Sequence, residues 1–221
     1  MRLLADTSTL IGRLVADAKP VKRLRPPTIR AGLWLLVAGG IGGVAIVLFA
    51  NLPLFADRIA EPALLFEWIA TLITGAAAVL AAFQLSLPDR SPAWALLPLP
   101  SLAVWIGSSG YSCYRHWITV GPTGWELGES VSCLVFILAV SPPLAVGLLL
   151  ALHRARPLEP VRVTATGALG VAALAAGALQ FFHPFDVTFM DLSVHLGTIA
   201  VIVAVISAVE YVSARSRTDR S

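Results

Sequence analysis

Cys113 and Cys133 are the residues of this chain whose type and spacing most point to chemistry, and they are its only cysteines. The run Ser112-Cys113-Tyr114-Arg115-His116-Trp117 sets a guanidinium and an imidazole beside the first of them. Positive neighbours favour the thiolate, the reactive form of the side chain. From the residues alone, three readings of the pair stay open. One is a structural disulfide, closing a loop of about twenty residues and contributing on the order of 3 kcal/mol in the loop-entropy account. Another is two small apolar residues with no shared role. The third is a thiol pair that switches between reduced and bridged states.

Histidines widen the chemistry to a soft metal. On the topology argued below, His116, His183 and His195 fall near the same membrane face as the thiols. Cys113, Cys133, His116, His183 and His195 are therefore candidate ligands for a soft cation. Their spacing matches no established metal signature, and the ordinary reading of His183 and His195 is a loop or interfacial histidine. No P-loop, GxGxxG or nucleophile elbow is present. Gly39-Gly40-Ile41-Gly42-Gly43 lies inside an apolar run rather than after a strand, which argues against a phosphate cradle. A thiol oxidoreductase would use a close C-x-x-C pair, which is absent. A transporter would place polar groups in mid-span, and these are scarce. Glu67 and Glu210 lie near span ends, where a carboxylate bonded to a partner or reaching the interface is the ordinary reading. The expectation is a protein that is not an enzyme, with no catalytic residues and no cofactor. A small membrane transporter or membrane thiol-redox enzyme is the alternative.

The elements that must hold these residues follow from composition. Of 221 residues, 57% are hydrophobic and 13% charged, too apolar for a soluble domain to clothe its surface. The apolar residues form long blocks, the pattern of helices that cross a bilayer. Six such blocks are predicted, at about 31–50, 64–87, 93–109, 129–152, 163–182 and 192–213, an all-α bundle. The first is expected to be retained as a span, since no cleavage site follows it. Pro98 and Pro100 are expected to bend the third span, and Pro142-Pro143 sit within the fourth as a kink or a hinge. The outer loop 110–128 would then carry Cys113, and Cys133 would lie one turn inside the fourth span. With both termini in the cytoplasm, fourteen of the sixteen Lys and Arg lie inside, leaving Arg58 and Arg115 outside. That bias orients the bundle in a bacterial inner membrane. The basic balance is thereby explained without nucleic-acid binding. The predicted organisation is a cytoplasmic segment 1–30, a membrane domain 31–213 and a cytoplasmic tail 214–221.

Within the first segment, Leu10, Ile11, Leu14 and Val15 recur at helical spacing, predicting an amphipathic helix over 7–18 with Asp6, Thr7 or Ser8 as its cap. Lys19, Lys22, Arg23 and Arg25 follow, ahead of the stiff Pro26-Pro27. Such a helix either lies on the membrane surface or docks in the groove of a soluble partner. The cations by themselves would also serve to bind anionic lipid.

The order of these parts resembles a known family. A short helix with Leu10-Ile11 leads into Lys19-Pro20-Val21-Lys22-Arg23-Leu24-Arg25-Pro26-Pro27 and six spans. Cys113 precedes Trp117, Cys133 leads into Ser141-Pro142-Pro143, a basic loop runs from Arg154 to Pro160, and His183-Pro184 is followed by His195. This pattern resembles the NrsF-like membrane anti-sigma factors, negative regulators of sigma F. The resemblance implies that the chain holds an extracytoplasmic-function sigma factor inactive at the inner membrane and releases it under oxidative or heavy-metal stress. It implies two cysteines needed for the response, roles that would fall on Cys113 and Cys133. On that reading Leu10, Ile11, Leu14, Val15, Lys19, Lys22, Arg23 and Arg25 are the expected partner surface.

Overall fold

Proline marks where the long helices begin. Pro27, Pro62 and Pro160 each occupy the first helical position of their helix. A missing N–H costs nothing there, and the ring holds φ at a helical value. The computed structural model describes residues 2–16, 23–121 and 127–182, and from 193 to 212 the residues 193, 197–198, 200–201, 203–205, 207–209 and 211–212. Seven α-helices are assigned: α1 (Arg2–Ala16), α2 (Pro27–Phe49), α3 (Leu52–Ile59), α4 (Pro62–Leu85), α5 (Leu99–Val120), α6 (Leu127–His153) and α7 (Pro160–Leu179). The described residues from 193 to 212 are helical as well, and no strand occurs among the described residues. The chain is all-α.

Among the described residues, three helices are long and apolar enough to cross a membrane: α2, α4 and α7. The apolar part of α6, Leu138–His153, is shorter. The sequence predicts six spans; among the described residues three helices meet the length and apolarity of a span.

Several boundaries differ from those predicted. α1 starts at Arg2, so Asp6, Thr7 and Ser8 lie within it and cannot cap its start. The segment between the first two predicted spans contains α3, whose Asn51 caps it by accepting from Leu54 N at 3.2 Å. The largest change concerns α5. A 3-10 helix fills Pro92–Leu96, Pro98 is the N-cap of α5, and Pro100 lies in its first turn. Those prolines start the helix and do not bend it. α5 then continues to Val120, closed by Gly121 at φ 88°. Cys113 is therefore inside a helix and not in a loop. Residues 110–120, expected as part of the outer loop, continue α5, whose buried face outweighs the low helix propensity of Gly110 and Ser112. α6 runs through Pro142 and Pro143 without a break in assignment.

α4 is the hub, packing against α2, α3, α5 and α7, while α6 packs against α7 and α2. α4 and α7 lie antiparallel, as shown by the neighbours Leu72 with Gly177, Gly75 with Leu174, Val79 with Gly170, and Ala82 with Gly167. Their approach is close enough that a Cβ on Gly75 would stand 2.7 Å from Leu174 Cγ. In lipid there is no hydrophobic gain from bringing helices together, so small residues that admit tight contact drive association. Trp68 adds a bond across the same pair, donating from Nε1 to Gly177 O at 3.2 Å.

The two ends of the bundle differ in chemistry. At one end, Phe55 of α3, Trp68 of α4 and Phe181 form a cluster, with Phe55 and Phe181 stacked at 4.0 Å between centroids. At the other, Arg30 in the first turn of α2 donates to Ala151 O near the C-terminus of α6 and lies over the Phe83 ring at 5.0 Å. A cation at the negative end of a helix dipole and on an aromatic face is favoured twice. This contact ties the first turn of α2, and hence the linker before it, to α4 and α6.

Candidate functional site

The site around Cys113 is built by one face of α5. Trp105, Ser109 and Cys113 follow one another at a spacing of four residues, so they share a face. All three are buried, Cys113 at 6% exposure. That face meets α4. Trp105 joins Ala70 of α4 and Ala172, Ala173 and Ala176 of α7 in one apolar cluster. One turn along, Ser109 Oγ donates to Glu67 Oε1 at 2.7 Å. Beyond Cys113, Arg115 Nη1 bonds Glu61 Oε1 at 2.8 Å. The order 70–105, 67–109, 61–115 shows that the helices run antiparallel, and it sets Cys113 level with the first turn of α4, between the Glu67 and Glu61 contacts.

Glu67 is the feature that spacing alone did not reveal. It is 3% exposed, with one oxygen bonded to Ser109 and the other, Oε2, without a hydrogen-bond partner among the described residues. Of the two sequence readings, a carboxylate bonded to a partner is the one its burial and its bond to Ser109 match. The available signal was the spacing of Trp105, Ser109 and Cys113, which puts a hydroxyl on the helix face that carries the thiol. The consequence is measurable. Ser109→Ala is expected to cost about 1–3 kcal/mol, because it strips the donor from a buried carboxyl group. Ser109→Ala combined with Glu67→Leu is expected to recover most of that, since removing both partners leaves nothing unsatisfied. Thermal unfolding of the purified protein in detergent reads both. A double variant as unstable as the single one would show that the bond is not the source.

Arg115 is engaged by Glu61, so its charge is directed to a carboxylate at the N-cap of α4 as well as lying two residues from the cysteine in sequence. Cys133 is carried in the second turn of α6. Its side chain, like that of His116 in α5, lies outside the described residues, as do His183 and His195 entirely. Among the described residues no group of three His, Cys, Asp or Glu side chains gathers to hold a metal. Four of the five ligands named for a soft cation fall outside that set.

The expected partner surface stands apart from this seam. Leu10, Ile11, Leu14 and Val15 on α1 are 56–68% exposed. Arg23 and Arg25 are exposed in the extended link before α2, while Lys19 and Lys22 lie outside the described residues. The helix thus presents an uncovered apolar stripe next to a basic link. Since Arg30 fixes the start of α2 beside the C-terminus of α6, this arm joins the bundle at the end opposite to Cys113.

Residues 14–211 match the family described as NrsF, negative regulator of sigma F. The chain belongs to the NrsF family. No curated protein and no solved structure matches it significantly. The NrsF match takes in the end of α1, the basic link, every later helix and both cysteines. Membership makes a sigma factor the partner and regulation the role. Three apolar helices place this NrsF chain in association with a membrane.

Proposed function

We propose that this NrsF chain is an inner-membrane anti-sigma factor that sequesters an extracytoplasmic-function sigma factor and releases it on oxidative or heavy-metal stress. The reading has six spans, both termini in the cytoplasm, and Cys113 and Cys133 as the extracytoplasmic sensor. The observation that carries it is the family match, which takes in the end of α1, the basic link and both thiols. Geometry adds that Cys113 is on the α4–α5 seam and the arm at the other end of the bundle. Bridging Cys113 to Cys133 would require α5 and α6 to adopt one particular relative position. A disulfide stabilises such a state by a few kcal/mol, enough to shift a two-state equilibrium. α6 reaches from Cys133 to the Ala151 carbonyl that Arg30 holds, so its displacement would be felt at the root of the arm.

Co-purification tests the partner. Full-length chain extracted from its own bacterium under reducing conditions is expected to bring down a sigma factor, identified by mass spectrometry. The same preparation after diamide is expected to bring down at least tenfold less. A chain lacking residues 1–16 is expected to bring down little under either condition. Retention of full binding by that deletion would remove Leu10, Ile11, Leu14 and Val15 from the partner surface. Recovery of no sigma factor by the intact chain would overturn the function.

A further inference from the structure

At the arm's end of the bundle, the turn after α4 and the loop before α7 enclose a cavity of about 100 Å³. We propose that this cavity is a second docking pocket for the sigma factor, one that takes an apolar side chain from an acidic segment of it. The proposal rests on the anti-sigma reading.

The walls decide the occupant's chemistry. Leu85, Leu87 and Val163 line the cavity with apolar surface, while Arg90, Glu159 and Arg162 lie along it as charged groups. The space suits one aliphatic or aromatic side chain. Leu158, also on its wall, is 78% exposed, an apolar group left uncovered at a polar edge. Around it the charge is one-sided. The turn, the loop and the first turn of α7 hold Arg90, Arg154, Arg156 and Arg162 against Asp89 and Glu159. Arg162 Nη1 bonds Glu159 Oε2 at 2.7 Å, whereas Arg90 stands 4.0 Å from Asp89, a loose exposed pair that a partner's acid can displace. A segment with an apolar knob and acidic neighbours complements this surface in shape and in sign. A lipid phosphate fits less well, because it would meet the Glu159 carboxylate on the same wall. A peptide can give that carboxylate an amide N–H while its own acid goes to Arg90. Arg30 sets the basic link at this same end, so one partner can cover the α1 stripe and the cavity together.

The test uses full-length chain in nanodiscs of phosphatidylcholine alone, titrated with the purified sigma factor found by co-purification. Arg90→Glu with Arg162→Gln, and separately Leu158→Glu, all at exposed positions, are each expected to raise Kd at least tenfold. Unfolding temperature in the same nanodiscs is expected to stay unchanged. Unchanged Kd in both variants, with binding lost on deleting residues 1–16, would overturn the pocket and leave the anti-sigma function standing. Weakening seen only when phosphatidylglycerol is included would also overturn it, assigning the surface to lipid. Failure of the unaltered chain to bind any sigma factor would take down both.

Discussion

Gly170→Leu is expected to keep the chain from reaching a stable fold in the membrane. The reason is the depth of contact between α4 and α7. A Cβ at position 170 would stand 2.9 Å from Val79 Cγ2, 3.0 Å from the Val79 backbone nitrogen and 3.2 Å from the Gly75 carbonyl oxygen. A flexible side chain can swing away, but two of these three atoms are backbone inside a helix. The helices must separate to admit even one carbon. Overpacking of this kind costs about 1–3 kcal/mol for a methylene or two. A whole leucine would exceed that and strip contacts along the pair, including the Trp68 bond to Gly177. Gly170→Ala should lie between the two. Gly39→Ala supplies the contrast, since among the described residues no atom outside its own stretch of helix lies within 4 Å of a Cβ there, and alanine is the better helix former. Membrane-fraction yield and unfolding temperature in detergent check the series. Equal stability of Gly170→Leu and Gly39→Ala would mean that α4 and α7 do not pack at this distance.

Cys113→Ser and Cys133→Ser are each expected to abolish induction by oxidant while leaving repression intact, the largest functional effect foreseen. Serine preserves size and removes the sulphur chemistry, so the sigma-holding state should survive. A transcriptional reporter for the sigma factor should rise at least tenfold with diamide in the unaltered chain and stay at its basal level in both variants. Cys113 faces α4 and is buried, so its reaction requires a conformation in which α5 has moved on α4. Normal induction in both variants would sink the sensor. A constitutively high reporter in Cys113→Ser would instead assign the residue to packing, beside Trp105 and Ser109.

The helical character and apolar runs of this chain were legible because they depend on local facts. Long apolar blocks, helix-starting prolines and the spacing of Leu10, Ile11, Leu14 and Val15 are each readable over one or two turns. The resemblance to NrsF was likewise legible in the order of short motifs and holds over residues 14–211. Errors arose where local composition and tertiary contact disagree. The stretch from Gly110 reads as a loop, yet residues 110–120 continue α5, one face of which packs on α4 and α7. Pro98 and Pro100 read as a bend because the start of α5 could not be located without knowing what it packs on.

What residue order settled by itself was the all-α class, the apolar runs that α2, α4 and α7 occupy, the amphipathic arm and the family. Each of these is a property of neighbours along the chain. What only the tertiary structure decided was the company the residues keep: Ser109 on Glu67, Arg30 on Ala151 and Phe83, and Gly170 against Val79. These partners lie tens of residues apart, and helices in lipid find their register through close fit and single polar contacts. Apolar sequence carries almost no mark of either, because most of its residues would suit lipid as well as a neighbouring helix.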